Sequence, residues 1–361
     1  MVNREPEKSE IRDLSFEELA SYLESIKEPP FRAGQVFKWL YEQGVWSFAD
    51  MKNLSQGLRS RLDQDFILKP NTVASQVTSR DGTTKFLFDL ADHQKIETVL
   101  IPTAERVTAC ISTQAGCKFG CKFCASGLGG WERNLTSAEI LDQVLHVRGV
   151  VRGLPPEANK RERRLSHIVF MGTGEPLDNL ANVLKAIRII NSPQGLNIAA
   201  RHITISTVGL IPKFKELAEQ GIQFELAVSL HGYDDASRNV LMPINKQYPI
   251  KELIAACREY IKRTNRQVTF EYILIAGLTC TDKAARELGR LLRGMICKLN
   301  LIPCNPVSEF GHQPPTKEQI RAFTNGLDAV GVHYTLRRPR GQDVAAACGQ
   351  LRALARKSVN T

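Results

Sequence analysis

The period of apolar positions changes near residue 70. Between 14 and 67, LSFEELASYLESI and RAGQVFKWLYEQG repeat apolar residues at helical spacing, and Ser15 with Glu18 three residues on has the form of a capping box. Roughly two to four short helices fit there. From 70 to 104, TVASQVTS, TKFLFDL and KIETVLIP alternate as strands do, with Asp81-Gly82 as a hairpin turn. Beyond that, the β-rich runs RVTACIST, SHIVFMG, RHITIST, FELAVSLHG, QVTFEYILI, KLNLIPC and HYTLR are separated by helical stretches such as TSAEILDQVLHVRGV and IKELIAACREYIKR. Such alternation implies parallel βα units. About six units are too few for a closed eight-stranded barrel, so the expected fold is α/β, a partial (β/α)6 TIM-like barrel with functional loops at the carboxyl ends of its strands. The expected organisation is a helical accessory domain at 1–69, a small β extension at 70–104, a core at 105–340 and a C-terminal segment at 341–361.

At 361 residues the chain can hold such a core, and its charged N-terminus has no signal-peptide character. No apolar run is long enough to span a bilayer, so a cytoplasmic protein with no membrane partner is expected. In that compartment nine cysteines favour metal or redox chemistry over a disulfide framework. A formal net charge of +10 suits a polyanionic partner without proving one. Phe31, Arg32, Lys38, Trp39 and Tyr41 interleave basic and aromatic residues, as an RNA grip or as core aromatics. The basic run in LPPEANKRERRL at 154–165 reads as a solvated loop or a phosphate contact.

The chemistry concentrates in GCKFGCKFCASG, where Cys117, Cys121 and Cys124 are bracketed by Gly116, Gly120 and Gly127. A structural zinc site needs a fourth Cys or His close by, and none follows within twenty residues. Three thiolates hold an iron-sulfur cluster and leave one iron open to chelate S-adenosylmethionine (SAM). The CxxxCxxC spacing, with Phe123 before the third Cys, resembles the signature of the radical SAM superfamily. Later strand ends offer polar groups for the ligand: Gly174 and Glu175 in MGTGEPLDN, Ser206 and Thr207 in ISTVG, Ser229 and His231 in VSLHG, and Asn305 after IPC. Singly, these fit helix caps, a turn histidine and a surface charge; at successive strand ends they fit one ligand. Cys257 falls in step with Ile250, Leu253, Ile254 and Ile261 on a helix face and reads as core. Cys280, Cys297 and Cys304 have no paired motif, and the spacing of Cys110 and Cys348 is unremarkable.

Along nearly its whole length the chain resembles the bacterial dual-specificity 23S rRNA and tRNA adenine-carbon-2 methyltransferases of the radical SAM superfamily. The resemblance is carried by IETVLIP, TACISTQAGCKFGCKFCASG, NLTSAEILDQV, GTGEPLDNL, ITISTVGLIP, VSLHG, LMPINKQYPI, LIPCNP and DVAAACGQL. It implies a 4Fe-4S cluster on Cys117, Cys121 and Cys124, and SAM contacts from Gly174, Glu175, Ser206, Ser229, Leu230, His231 and Asn305. It also implies that Cys348 is methylated by one SAM, and that a second SAM yields the radical that activates the methyl group for addition to adenine. Cys110 then releases the product through a transient disulfide, and Glu97 is the proton acceptor. The route has a physical logic: carbon 2 lies between two ring nitrogens and is too electron-poor to attack a sulfonium methyl. Implied partners are rRNA (at the peptidyl-transferase centre), tRNA (next to the anticodon) and an electron donor of the flavodoxin or ferredoxin type. A related group acting on carbon 8 of the same rRNA nucleotide (Cfr-type) is the runner-up, and Pro176 resembles the carbon-2 enzymes. The chain departs from the family's commoner GMGEP at Thr173 and from its usual continuation after the cluster motif in ASGLGGWERN. Other classes left open are a radical SAM enzyme on a non-RNA substrate and an iron-sulfur electron carrier, which would want four cysteines.

Overall fold

A computed structural model of the chain describes residues 8–154 and 163–351. Residues 155–162 of the stretch with the basic run at 154–165 therefore lie outside the described residues. Three helices, α1 (Phe16–Ser25), α2 (Phe31–Phe37) and α3 (Gln56–Asp65), follow the helical period of the N-terminal stretch. The capping box forms as expected: Glu18 N donates to Ser15 Oγ at 3.1 Å, and Ser15 N donates to Glu18 Oε2 at 2.6 Å. α2 runs on into a π-helical turn, Lys38–Gln43, which Gly44 ends with φ 71°. The aromatic and basic set of this region divides between the two readings. Tyr41 is fully buried in the core and Trp39 is half-buried, whereas Phe31 is 59% exposed with the Arg32 guanidinium 5.0 Å from its ring.

The main sheet has ten strands whose spatial order follows chain order. They are β1 (Thr72–Thr78), β2 (Thr84–Asp89), β3 (Lys95–Pro102), β4 (Val107–Cys110), β5 (Leu165–Phe170), β6 (Ile203–Thr207), β7 (Glu225–Ser229), β8 (Val268–Leu274), β9 (Cys297–Pro303) and β10 (Tyr334–Leu336). β1 to β4 pair antiparallel, and β4 to β10 pair parallel throughout. The crossovers are α4 (Ser137–Gly153), α5 (Leu180–Asn191), α6 (Pro212–Ala218), α7 (Asp235–Leu241) with α8 (Ile250–Thr264), α9 (Asp282–Leu292) and α10 (Lys317–Ala329). β1 and β10 are both edges, so the sheet stays open. The apolar β8, VTFEYIL, is buried at every residue, while the polar β1 is almost wholly exposed. Cys257 is buried among the core residues of α8, as its spacing predicts. No helix among the described residues is long and apolar enough to cross a membrane.

The N-terminal helices join the barrel through α4. Arg12, fully buried, donates to Asp142 Oδ1 of α4 at 3.0 Å and to the Val45 carbonyl at 2.7 Å, and its guanidinium lies 3.9 Å from the Trp46 ring centroid. Asp13 accepts from Ser137 Oγ and Ala138 N at the start of α4, both at 2.8 Å. Further along the helix, Arg148 and Arg152 donate to the carbonyls of Tyr41 and Glu42. Arg12→Ala leaves Asp142 buried without its partner, a loss of about 3–5 kcal/mol that denaturant unfolding should show; a change below about 1 kcal/mol would contradict this account of the docking.

The same junction carries a pH signature. Burial pushes the Glu10 carboxyl up to about 7, with Asp142 adding to the rise and Arg12 opposing it. Burial likewise lifts Asp142 to about 6 against the pull of Arg12. Both values lie above those of an unfolded chain, so the native state holds more protons and loses stability as pH rises from about 4 to about 7. Glu10→Gln removes one of these titrations. Its melting temperature relative to the unmodified chain should rise between about pH 5 and about pH 8, and a constant difference would refute the assignment.

Candidate active site

The cysteine loop follows β4, at the carboxyl ends of the parallel strands. Its stem is a short antiparallel pair, Gln114–Gly116 with Trp131–Asn134. Backbone bonds fix the loop from several sides: Cys117 N donates to the Gly130 carbonyl at 2.7 Å, Lys122 N to the Leu241 carbonyl at 2.8 Å, and Thr113 N to the Thr173 carbonyl at 2.9 Å. Gly116 has φ +75°, and a Cβ there would lie 2.1 Å from the Gly130 oxygen, so the turn admits only glycine.

Cys117, Cys121 and Cys124 line a single cavity and none is in a disulfide. Burial pushes Cys117 up to about 11, Cys121 well above the usual thiol range and Cys124 upward, and the charges of neighbouring thiols add to the rise at each. The three thiols share an apolar hollow beside Phe119, Phe123, Met242 and Ile273, and a metal centre bound there takes them as thiolates and releases their protons. Among the described residues no three His, Cys, Asp or Glu side chains converge on a point as they would around one ion. A cluster does not ask for that, because each thiolate takes its own iron. The residues present fit a cluster held by three cysteines.

Gly174, Glu175, Ser206, Thr207, Ser229, His231 and Asn305 all line the same cavity. Gly174 has φ +104°, and a Cβ would sit 2.6 Å from Gln114 Cβ. The Glu175 carboxylate accepts from Leu177 N at 3.0 Å and Val208 N at 2.8 Å, yet burial still lifts its carboxyl to about 7. His231 accepts from Ile273 N through Nδ1 at 3.1 Å, and burial, aided by Arg238, pushes its pKa down to about 3. The ring is therefore neutral with its proton on Nε2. Leu230 is buried and does not line the cavity; its amide donates to the Glu271 carbonyl at 3.0 Å. The Asn305 amide is engaged by the C-terminal segment, donating to the Cys348 carbonyl at 3.0 Å and accepting from Gln342 Nε2 at 2.8 Å.

Sequence patterns gave no sign of three charged residues here. Arg238, fully buried, donates to the carbonyls of Leu230 at 3.0 Å and Val208 at 2.8 Å and to Asn245 Oδ1 at 2.8 Å, tying together the loops after β6 and β7. Glu271 of β8 lines the cavity and accepts from Asn300 Nδ2 at 2.7 Å. Arg337, just beyond β10, also lines it, where its charge acts on Cys348, Glu271 and Cys110. Glu271 sits inside a strand run and Arg337 in a basic tail, so neither carries a motif.

Cys348 reaches the cavity on a segment fixed at both ends. Near its start, Gly341 N donates to Asp81 Oδ2 at 3.1 Å, and Asp343 accepts from Ser79 Oγ at 2.6 Å, so the β1–β2 hairpin holds it. Past Cys348, the Gly349 carbonyl accepts from Ala125 N at 2.7 Å and the Leu351 carbonyl from Ser126 Oγ at 3.0 Å. Cys110 ends β4 opposite Val99 of β3 and packs with Ala346 and Leu351, beneath the segment rather than in the cavity. Burial first, then the charge of Cys348, lifts the Cys110 thiol to about 12. Glu97 lies two residues before Val99 and so on the same face of β3. It is buried, with Lys85 Nζ 3.0 Å from its carboxylate, and Lys85 also donates to the Ala345 carbonyl at 3.1 Å.

Comparison with known proteins identifies the family. Residues 9–68 match the ribosomal RNA large subunit methyltransferase N-terminal domain, and residues 111–288 match the radical SAM superfamily. The chain is 46% identical to a "Probable dual-specificity RNA methyltransferase RlmN" of Bacillus licheniformis, over 97% of this chain and 95% of that protein. It is 45% identical to a protein of the same name from Desulforamulus reducens, over 98% of each. A crystal structure described as a radical SAM methyltransferase from Sphaerobacter thermophilus matches with a TM-score of 0.90 at 44% identity, over 96% of this chain and 100% of that one.

The buried Cys110 thiol yields a direct check. In the folded protein at about pH 8, iodoacetamide should modify Cys110 at least about 100-fold more slowly than in guanidinium, because the raised pKa and burial both suppress the thiolate. Peptide mass spectrometry reads the rates, and equal rates would remove Cys110 from beneath the segment.

Proposed function

The chain belongs to the RlmN family of dual-specificity RNA methyltransferases within the radical SAM superfamily, and from that premise we propose that it methylates carbon 2 of adenosine in 23S rRNA and tRNA through Cys348. The observation that carries the reading is the placing of Cys348 in one cavity with Cys117, Cys121 and Cys124. A methyl group on that sulfur faces the site where the radical is made.

Cys117, Cys121 and Cys124 would hold the 4Fe-4S cluster, which with SAM would supply a radical able to remove a hydrogen atom from an unactivated carbon. Gly174 keeps that wall of the cavity free of a side chain, while Glu175, Ser206, Ser229 and the Nε2–H of neutral His231 offer polar contacts to SAM. Leu230 follows Ser229 at the same strand end, buried outside the cavity. Asn305 acts on two sides, lining the SAM cavity and holding the carbonyl of Cys348.

The Cys348 thiolate attacks the methyl carbon of one SAM, the bond from that carbon to the sulfonium breaking as S-adenosylhomocysteine leaves, and carries the methyl group as a thioether. Once the carbon is joined to adenine, Glu97 takes the proton that leaves the ring, with Lys85 beside it to steady the carboxylate. That proton leaves with one electron, which the electron-transfer system feeding the site takes up, and the ring is aromatic again. The Cys110 thiolate then attacks the Cys348 sulfur, and the S–S bond forms as the S–C bond breaks. The departing carbon takes the electron pair and a proton to become the methyl group on the RNA, and an external thiol or dithiol reduces the disulfide before the next turnover. The seat of Cys110 beneath Ala346 and Leu351 puts it next to that segment and out of the cavity. The high Cys110 pKa means that this thiol must lose its proton during the release step. All nine cysteines are free, which suits a cytoplasmic site of action, with electrons from a flavodoxin or ferredoxin type of donor.

Digests of rRNA and tRNA from cells with and without the gene should show 2-methyladenosine that depends on it; 8-methyladenosine in its place would support the carbon-8 reading. Cys348→Ala should abolish methyl transfer, and a variant that still methylates RNA would refute the relay. Cys110→Ala should accumulate a covalent protein–RNA adduct visible as a shifted band on a denaturing gel.

A further inference from the structure

Beside the cysteine loop stands an exposed aromatic that the relay does not use. Trp131 opens the strand that pairs with Gln114–Gly116, directly after the cysteine loop. It is 41% exposed and belongs to none of the apolar clusters among the described residues. Nearby, Leu128 is also exposed. The backbone beneath Trp131 is fixed by the bond from Cys117 N to the Gly130 carbonyl and by the close packing of Gly116 on Gly130 and Trp131. Lys118 Nζ lies 5.3 Å from the indole centroid and is held by Asp178 at 2.8 Å. Only four residues before Trp131, Gly127 lines the cavity itself.

A large ring held open to water by a rigid turn, with a cation beside it, is the combination that stacks on an unpaired base and meets its phosphate. The enzyme must also draw an adenine out of its stack to reach the cavity, which leaves a neighbouring base without a partner. Resting on the reading that the substrate is RNA, we propose that Trp131 is the stacking platform for the base next to the target adenosine, with Lys118 beside it facing the backbone. An indole face accepts any base, which suits an enzyme that serves two RNA contexts.

The test uses the full-length holoenzyme and an RNA stem-loop with 2-aminopurine on either side of the target adenosine. Binding of the unmodified enzyme should quench 2-aminopurine at one of the two positions. Trp131→Ala and Trp131→Leu should abolish that quenching and raise Kd and KM for RNA roughly tenfold, whereas Trp131→Phe should retain both. The Leu variant preserves bulk at the turn if Ala fails to fold. Unchanged quenching and Kd in Leu, a loss confined to kcat, or equal losses in Phe and Leu would each overturn the proposal. An enzyme that binds and quenches yet forms no methyladenosine sinks the RNA-methylation reading and leaves the platform standing; methylation with unaltered Trp131→Leu binding does the reverse.

Discussion

A short loop that presents three thiols to a hollow has too little apolar surface of its own to fold around, so its shape has to be imposed by hydrogen bonds from outside. Here those bonds come from distant parts of the chain: the Thr173 carbonyl after β5, the Leu241 carbonyl at the end of α7 and the Gly349 carbonyl near the C-terminus. Gln114 at the base of the loop adds a cross-tie, donating to Asn134 and Asp178 and accepting from the amide of Glu175. The cysteine loop, the strand ends beside it and the segment that bears Cys348 therefore share one hydrogen-bonded frame. A disturbance in any of them reaches the other two through backbone atoms rather than through loose side-chain contacts.

Arg238 does the corresponding work on the far wall. A fully buried guanidinium is tolerable only when its donors are met, and the carbonyls after β6 and β7 with Asn245 meet them. The result is a rigid ledge on which Ser229 and His231 stand. Neutral His231 and the raised Glu175 report the same dry surroundings, where a ligand's own charges decide the electrostatics.

Much of this was legible in the sequence where the signal is local. Strand alternation, the Ser15–Glu18 box and the Asp81-Gly82 turn each depend on residues a few positions apart and form as read, and the three cysteines of the loop line one cavity. Arg238, Glu271 and Arg337 were not legible, because their meaning lies in contacts between strands far apart in the chain. The aromatic and basic residues near the N-terminus stayed between two readings for another reason: the same helical period places a ring in the core or on the surface, and only the tertiary packing sent Tyr41 inward and Phe31 outward. For Asn305, position at a strand end was readable, but its grip on the Cys348 backbone was not. The roles of Cys110 and Cys348 came from family resemblance alone, since spacing says nothing about two cysteines joined by a fold.

The segment between Gly341 and Gly349, tied to a hairpin at one end and to the cysteine loop at the other, has the mechanics of a clothesline with no slack. A sulfur on such a line moves along an arc set by bond lengths and two left-handed glycines. Insertions there are of a different kind from insertions in an ordinary surface loop: a single added residue changes the phase of the line and turns the thiol away from its target. Length, more than side-chain identity, is the quantity this stretch of chain cannot vary.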